Sequence, residues 1–202
     1  MRTPSLTIQP KTYHHGDLRE SLLNAAVAAL KTGEPRELSL RELGRSVGVT
    51  AAAPYNHFSS KDELLNELSL RGHEMLLKQL QHAVPKPAHP AGKLPAFVCA
   101  YLRFAREHPA HYKVMFLRGS RVEDPVTHER PNESSFRLGC TMIQSQVPSL
   151  SLQQARQRTI AVFALLHGLV LLSTEGTLRR TYSKAIEEKS AIDAAVRLMT
   201  WA

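Results

Sequence analysis

Signals that start and stop helices recur along this chain, and they constrain its fold more than any other feature. Side chains able to cap a helix stand three positions before an acid or an amide at Asp17, Ser39, Ser60 and Ser151, which is the spacing of a capping box. The apolar residues that follow are spaced so that they share one face of a helix. No run alternates apolar and polar residues as a half-buried strand would. The pattern predicts an all-α protein.

The same signals predict where the helices lie. The first helix should end before Gly33 and the second before Gly48, because glycine commonly follows the last turn of a helix. A third helix is predicted near Ala51–Phe58, and a long fourth helix from Lys61 to about His82. The later predicted helices are about Ala96–His108, Ala110–Leu117, Glu133–Gln146, Leu152–Gly176 and Lys184–Trp201.

A break rich in proline separates the early helices from the later ones. The stretch Val84–Pro95 holds four prolines and a glycine, so it should not be helical throughout. We therefore expect a flexible arm over residues 1–15, a three-helix unit over 16–60, a connecting long helix over 61–84 and a second helical unit over 85–202.

Composition and cysteine content exclude several classes of protein. Hydrophobic residues make up 43% of the 202 positions, enough to build a real core. Cys99 and Cys140 lack the paired spacing of a disulfide scaffold or a zinc ribbon, and they suit a reducing cytoplasm. The first residues lack the apolar core of a signal peptide. The apolar run Ile160–Leu172 is shorter than the roughly 20 residues that span a bilayer, so we expect a buried helix and a cytoplasmic protein without a membrane partner.

The net charge of +8 raises the question of a nucleic-acid partner. Residues 1–84 hold 10 Lys and Arg against 9 Asp and Glu, whereas residues 85–202 hold 16 against 9. The excess of positive charge therefore lies mostly in the second half. Bulk charge alone does not identify a surface that binds nucleic acid. Such a surface has to be identified from the positions of particular residues.

The short second and third helices, joined through Gly48, have the proportions of a helix-turn-helix. Gly48 supplies the backbone freedom that the turn needs, Val49 can pack inward, and Thr50 is placed to cap the next helix. Taken alone, the pattern is also typical of corners in ordinary helical bundles.

The residues around this turn resemble those of the TetR family of transcriptional regulators over about residues 13–70. The resemblance rests on Ser39-Leu40-Arg41-Glu42-Leu43, on Val47-Gly48-Val49-Thr50, and on Tyr55-Asn56-His57-Phe58 followed by Lys61 and Leu64-Leu65. Gly44 departs from the pattern, because most members have alanine there. The resemblance implies an N-terminal helix-turn-helix DNA-binding domain, joined by a long helix to a helical C-terminal domain for ligand binding and dimerisation.

The resemblance also implies which residues contact double-stranded DNA. Ser39 and Thr50 would meet phosphates with hydroxyl and backbone N–H groups, and Arg41 would reach a phosphate or a base edge. The methyl groups of Ala51, Ala52 and Ala53 would contact bases in the major groove. The remaining contacts, to the DNA backbone or to bases, would come from Tyr55, Asn56, His57 and Lys61. For Tyr55, packing in the core is the alternative, and for Phe58 the core is the expected place.

In the second half, Phe163 to Gly168 resemble the tryptophan–histidine–glycine motif of one type of TetR C-terminal domain. The nearly all-apolar residues 160–172 predict a packed helix, and we expect a homodimer through about 152–176 and 184–201. The resemblance also implies a mostly apolar pocket for an unknown small effector. Its candidate lining residues are Phe97, Tyr101, Phe104, Tyr112, Met115, Phe116, Cys140, Met142, Phe163 and His167. Core packing is the alternative for each of them, and for His167 it is the favoured one.

These expectations define a transcriptional regulator, most simply a repressor, that binds a palindromic operator as a homodimer and is released by a ligand. No catalytic motif is evident: His108 and His111 form a His-x-x-His pair, but Pro109 interrupts it and no third metal ligand stands nearby. We therefore expect no enzyme activity, no cofactor and no metal. Two alternatives stay open, which are a ligand-independent architectural DNA-binding protein and a redox sensor that uses Cys99 or Cys140.

Overall fold

The computed structural model describes residues 15–84, 90–116 and 131–174, together with residue 197. Apart from turns and bends these residues are helical, so the predicted all-α class is confirmed. The chain divides into two compact units, Met1–Leu65 and Asn66–Ala202. The α-helices within the described ranges are α1 (His15–Leu30), α2 (Leu40–Ser46), α3 (Lys61–Ala83), α4 (Pro90–Glu107), α5 (Pro109–Phe116), α6 (Pro131–Gln146) and α7 (Leu152–Thr174).

The first unit packs α1, α2 and two short 3-10 turns, Pro35–Glu37 and Ala53–Asn56, around one core. Phe58 lies in this core with no exposed surface, as the sequence predicts. The guanidinium carbon of Arg19 lies 5.1 Å from the centre of the Phe58 ring, a cation–π contact. The other buried apolar side chains of the unit are Leu18, Leu22, Leu23, Ala26, Leu30, Leu38, Leu40, Leu43, Leu64 and Leu65.

The predicted third helix is replaced by a 3-10 turn. The prediction of an α-helix near Ala51–Phe58 is wrong, since helical geometry is limited to the 3-10 turn Ala53–Asn56. The N–H groups of Ala53, Tyr55 and His57 bond to the carbonyl three residues before them, while that of Phe58 bonds four residues back, to Pro54. Pro54 explains the difference, because it has no N–H to continue an α-helical ladder toward the Thr50 carbonyl. That carbonyl instead accepts the N–H of Ala53 at 3.1 Å.

The turn before this segment depends on two glycines. Gly48 has φ +80, the left-handed conformation that glycine adopts readily, as the helix-turn-helix pattern requires. Gly44 has a different role, because a Cβ there would lie 2.7 Å from Cγ and 3.1 Å from Cδ of Pro54. The missing methyl group at position 44 therefore makes room for the Pro54 ring. This contact accounts for the departure from alanine at that position.

The second unit packs α4, α5, α6 and α7 around an apolar core that includes residues of α3. Helix α4 begins at Pro90, so the prediction that it begins at Ala96 is wrong. Proline at the first position of a helix costs little, because its missing N–H would have no partner there, and α4 also tolerates Pro95 in its second turn. Residues 85–89 and 117–130 lie outside the described residues, and so does the predicted helix Lys184–Trp201 apart from residue 197.

The predicted helix caps form in part. Ser151 and Gln154 make both bonds of a capping box, N–H of Gln154 to Oγ of Ser151 at 3.3 Å and N–H of Ser151 to Oε1 of Gln154 at 2.8 Å. Oγ of Ser60 accepts the Glu63 N–H, but the Glu63 carboxylate accepts the N–H of Ser59 rather than that of Ser60. No side chain caps α2 at Ser39 or the 3-10 turn that follows Thr50, so those two predicted caps are wrong.

Helices α3 and α5 approach each other closely at Gly72. A Cβ at this position would lie 2.5 Å from Sδ of Met115 and 3.2 Å from Cβ of His111. This approach brings the neighbouring His73 into edge-on contact with Phe116, with ring centroids 5.5 Å apart. His73 is only 8% exposed and its Nδ1 has no hydrogen-bond partner. Burial lowers the pKa of His73 to about 4.

The contact between Gly44 and Pro54 gives a first prediction. Gly44→Ala should lower the stability of the first unit by about 1–3 kcal/mol, because the rigid proline ring cannot yield to the new methyl group. The intrinsic helix preference of alanine works in the opposite direction by about 1 kcal/mol. Hydrogen exchange of the α1 and α2 amides measures the change. In a Pro54→Ala background the same substitution should cost much less, because only the contact with the Thr50 carbonyl, 3.2 Å from the added Cβ, remains. An unchanged cost there would contradict the assignment to the proline ring.

The buried His73 gives a second prediction. Its folded-state pKa lies below the ordinary 6.5, so between these values the unfolded chain binds a proton that the folded chain does not. Stability is therefore fully present above pH 6.5 and is lost as the pH falls toward 4. At about 1.36 kcal/mol per unit, His73 should account for about 2 kcal/mol of the loss between pH 7 and 5. In urea unfolding, His73→Phe should lose less stability between pH 7 and 5 than the wild-type chain does, and the difference should be that amount. An equal loss in the two proteins would refute the assignment.

Candidate functional site

The segment expected to read DNA lies on the surface of the first unit. Thr50, Ala52, Tyr55 and Asn56 are exposed, and the Tyr55 ring is exposed by 46%. Ala51, Ala53 and His57 are half-buried, while Pro54 and Phe58 point into the core. Tyr55 therefore does not take the core position that was its alternative. The exposed surface of the segment therefore consists of small side chains and the Tyr55 ring. The buried side chains of Pro54 and Phe58 hold the segment in place.

The 3-10 turn decides which groups face outward. Backbone bonds from Tyr55 to Ala52 and from His57 to Pro54, at 3.1 and 3.0 Å, hold the segment in one tight turn. A 3-10 turn places side chains three residues apart on the same side, and this puts Ala52 and Tyr55 next to each other. The resulting surface has few polar side chains, so contacts to phosphates, methyl groups and the shape of the duplex would have to supply its recognition.

The start of α2 supplies a second group of candidate residues. Ser39 has an extended backbone and is half-buried, and its side chain makes no capping bond to α2. Arg41 is exposed in the first turn of the same helix. Lys61, at the start of α3, donates from Nζ to the Arg36 carbonyl at 2.8 Å. An ammonium has three donors, so this bond positions Lys61 and still allows a contact to an anion.

Sequence reasoning missed a groove on the first unit. It has a volume of about 450 Å³ and lies between α1, α2 and the turn Pro35–Glu37. Leu30, Leu38 and Leu43 form its apolar floor, and its acidic side chains are Glu34, Glu37 and Glu42. Of the predicted DNA contacts only Ser39 lies along it. The small residues Ala25, Ala28 and Ala29 of α1 were the signal in the sequence that could have indicated this groove.

In the second unit, a small polar cluster lies within the apolar core. The Tyr112 hydroxyl contacts Nδ1 of His167 at 2.5 Å, and the Tyr101 hydroxyl lies 3.2 Å from the same nitrogen. Burial lowers the pKa of His167 and raises the pKa of Tyr112 to about 12, while burial and the neighbouring Tyr112 raise the pKa of Tyr101. All three groups are therefore neutral at pH 7. The short contact fits a Tyr112 hydroxyl that donates to an unprotonated Nδ1.

Aromatic rings surround this polar cluster. The Phe116 ring lies 4.3 Å from that of His167 and 4.8 Å from that of Tyr112, centroid to centroid. Phe163 meets Tyr101 edge-on at 5.6 Å. Among the predicted pocket residues, the structure thus brings Tyr101, Tyr112, Phe116, Phe163 and His167 together.

The other predicted pocket residues take less direct positions. Phe97, Phe104, Met115 and Met142 belong to the surrounding core, and Phe97 meets Phe163 edge-on. Cys140 is buried and accepts a hydrogen bond from the Thr159 hydroxyl at 3.3 Å. Sequence reasoning missed His73, although its spacing from Ser69, Leu76 and Leu80 places it on the buried stripe of α3.

The described residues contain no group of three or more His, Cys, Asp or Glu side chains arranged to hold a metal ion. The rings of His108 and His111 lie with their centroids 6.2 Å apart, at the junction of α4 and α5. The ring of His108 also contacts that of Phe104, at 5.2 Å. This pair is therefore part of the packing between the two helices.

One side of α7 is apolar and exposed. Ile160 and Leu172 are exposed by 60% and 38%, Ala161 and Ala164 lie between them, and a Cβ at Gly168 would meet nothing within 4 Å. By length and composition Leu152–Leu172 would also pass for a membrane span, as core helices of soluble proteins do. The opposite side of α7 packs into the core of the second unit through buried residues, namely Ala155, Thr159, Val162, Leu166 and Val170.

Comparisons with known proteins agree with this architecture. Residues 22–68 match the family described as bacterial regulatory proteins, tetR family, and residues 94–199 match the tetracyclin repressor-like C-terminal domain. Nucleoid occlusion factor SlmA of Marinobacter nauticus is 26% identical over 162 residues, which cover 80% of this chain and 82% of that protein. SlmA of Idiomarina loihiensis is 24% identical, covering 79% of this chain and 81% of its own.

Solved structures are similar over nearly the whole chain. A protein of unknown function from Rhodococcus sp. RHA1 is 27% identical with a TM-score of 0.73, covering 95% of this chain and 97% of its own. A tetR-family regulatory protein from Rhodococcus RHA1 has a TM-score of 0.66 at 17% identity, covering 92% of this chain and 98% of its own, and it supports the fold alone. The helix-turn-helix, the all-helical second unit and the family match over more than half of the sequence lead to one conclusion: the chain belongs to the TetR family of transcriptional regulators.

Proposed function

We propose that this regulator binds a palindromic DNA operator as a homodimer, represses transcription from it, and is released by a small, mostly apolar effector. The observation that carries the proposal is the exposed segment Thr50–Asn56, held by Gly48, Pro54 and Phe58 on the helix-turn-helix of a TetR-family protein. An exposed segment on a fixed base is what docking into a major groove requires.

The proposed contacts to DNA fall into two groups. Ser39, Arg41, Thr50, Tyr55, His57 and Lys61 would position the protein on the phosphates. Ala51, Ala52, Ala53 and Asn56 would face base edges, with Arg41 able to serve either role. Pro54 and Phe58 are buried in the core of the first unit, so the opposite, exposed side of the segment is the side available to a duplex.

The proposed dimer would form through the exposed apolar side of α7 together with residues 184–201. A helix face that carries Ile160, Ala161, Ala164, Gly168 and Leu172 is poorly suited to water. The small residues at its centre allow the helix of a second copy to approach closely. Two-fold pairing of this kind would place two helix-turn-helix units on half-sites related by the same symmetry.

The proposed effector would bind in the second unit, near the polar cluster of Tyr101, Tyr112 and His167. It would favour an arrangement of the dimer in which the two DNA-reading segments no longer match the two half-sites. The coupling between effector and operator would be about 1–3 kcal/mol, the usual range for linked sites. Helix α3 supports this route, because it is one continuous helix whose residues belong to both compact units.

A second candidate function is a DNA-binding protein that acts without a small effector. Relatives that match about four fifths of this chain favour it, because their name, nucleoid occlusion factor, describes an action on the nucleoid and mentions no small effector. Redox control through a cysteine receives less support. Cys140 is buried and its sulfur accepts a hydrogen bond from the Thr159 hydroxyl, which is the environment of a structural thiol.

Selection of bound duplexes from a random pool tests the proposed function most broadly. We expect an enriched palindrome whose affinity falls steeply with salt, because phosphate contacts release counterions. Enrichment of a site without two-fold symmetry would contradict the dimeric proposal. Release of the selected duplex by a compound that raises the melting temperature would separate the effector-dependent candidate from the effector-free one.

Arg41 gives a charge-matched prediction. Arg41→Gln should weaken binding of the selected duplex about tenfold, and should lower the salt slope by about 1 if the contact is to a phosphate. Arg103→Gln is the control, because Arg103 is an exposed residue of α4 and its loss changes the net charge equally. Fluorescence anisotropy in a salt series measures both effects. Equal losses in the two variants would mean that bulk charge, rather than position, governs binding.

Gly168 gives a prediction about the dimer. In a single chain Gly168→Ala meets open space and should stabilise α7 by about 1 kcal/mol or less, from helix preference alone. In the proposed dimer the same methyl group would push the partner helix away, so the dimer dissociation constant should rise. Sedimentation equilibrium measures dissociation and thermal unfolding measures stability. A stabilised protein with unchanged dimerisation would exclude Gly168 from the interface.

A further inference from the structure

His73 is a buried polar residue with one ring nitrogen that makes no hydrogen bond. It lies on α3 with 8% of its surface exposed, and Nδ1 finds no hydrogen-bond partner. Buried polar atoms in folded proteins are nearly always paired, so an exception calls for a physical reason. Stability supplies none here, because a nitrogen without a partner weakens the fold. A group that pairs with this nitrogen only in another state of the molecule would account for it.

The contacts of Phe116 indicate where such a group would come from. Its ring contacts the rings of His73, His167 and Tyr112, with centroid distances of 5.5, 4.3 and 4.8 Å. Phe116 is the last residue of the short helix α5 and is only half-buried. A phenyl ring fills this place by shape but offers no hydrogen bond to the polar atoms around it.

We propose that the effector is a small aromatic molecule with a phenolic hydroxyl, which displaces the Phe116 ring and pairs its hydroxyl with Nδ1 of His73. This inference rests on the proposed function and names the chemical class of its effector. A planar ring would keep the edge-on contacts that His73 and His167 now make with Phe116. A hydroxyl both donates and accepts, so it satisfies Nδ1 in either tautomer of the imidazole.

The charge around Phe116 favours a neutral phenol over a carboxylate. Burial lowers the pKa of both His73 and His167 and raises that of Tyr112, so the three polar rings in contact with Phe116 are neutral at pH 7. A carboxylate placed among them would lose its hydration without gaining a charged partner. A phenol carries no such penalty, because it stays protonated at this pH.

The test compares para-cresol with para-xylene, which share a shape and differ by a hydroxyl in place of a methyl group. The full chain is titrated with each probe, and binding is followed by NMR and by the melting temperature. Phe116→Ala should bind para-cresol at least about tenfold more tightly than the wild-type chain does, because the competing ring is gone. It should also prefer para-cresol over para-xylene by about tenfold, since only the hydroxyl reaches the unpaired nitrogen.

A second substitution isolates the role of His73. His73→Phe in the Phe116→Ala background keeps a ring of similar shape and should abolish the preference for para-cresol. Phe116→Leu, which leaves a smaller space and retains more packing, provides the same comparison should the alanine variant fail to fold. Equal binding of the two probes, binding of neither, or a preference that survives His73→Phe would overturn the proposal.

The role of this site in regulation is measured separately, with the selected duplex and the wild-type chain. Saturating para-cresol should weaken duplex binding by at least about fivefold, the lower end of ordinary coupling between sites. An unchanged affinity would overturn the claim that this site receives the effector. Failure to select any duplex would refute the proposed function, and the dependence of probe binding on His73 would still decide whether the site exists.

Discussion

The contact between Gly44 and the Pro54 ring is the constraint on which the proposed DNA-binding surface depends. Pro54 prevents an α-helical ladder of hydrogen bonds from forming after Thr50, and its ring occupies the space that a side chain at position 44 would fill. The residues around Pro54 therefore form one short 3-10 turn, Ala53–Asn56. Phe58 anchors the other end in the core. The exposure of Thr50, Tyr55 and Asn56 follows from these two fixed points rather than from the preferences of the exposed residues themselves.

Much of this fold could be predicted from the spacing of residues along the chain. The left-handed turn at Gly48, the buried ring of Phe58 and the capping box at Ser151 all depend on local rules, and all three are found. The errors arise where one rule overrides another. Four prolines between Val84 and Pro95 favour a break, yet Pro90 occupies the one helical position that proline suits, and α4 begins there.

The interior of the second unit shows what a linear sequence does not reveal. The spacing of α3 places His73 on a buried stripe, but it does not show that Nδ1 lacks a partner. That property arises because Gly72 lets Met115 approach and so brings Phe116 against the imidazole ring. The contact between Tyr112 of α5 and His167 of α7 likewise joins two residues that are 55 positions apart in the sequence. Local patterns cannot encode pairings at that distance, so the sequence alone does not show that these side chains meet.

A hydroxyl-radical footprint of this chain on a selected duplex tests directly whether two copies bind DNA together. We expect two equally protected patches, related by two-fold symmetry and centred about one helical turn or a multiple of it apart. Protein bound as two chains per duplex should produce both patches together. A single protected patch, or uniform protection along the whole duplex, would contradict the claim that two paired copies bind DNA through the exposed segment after Gly48.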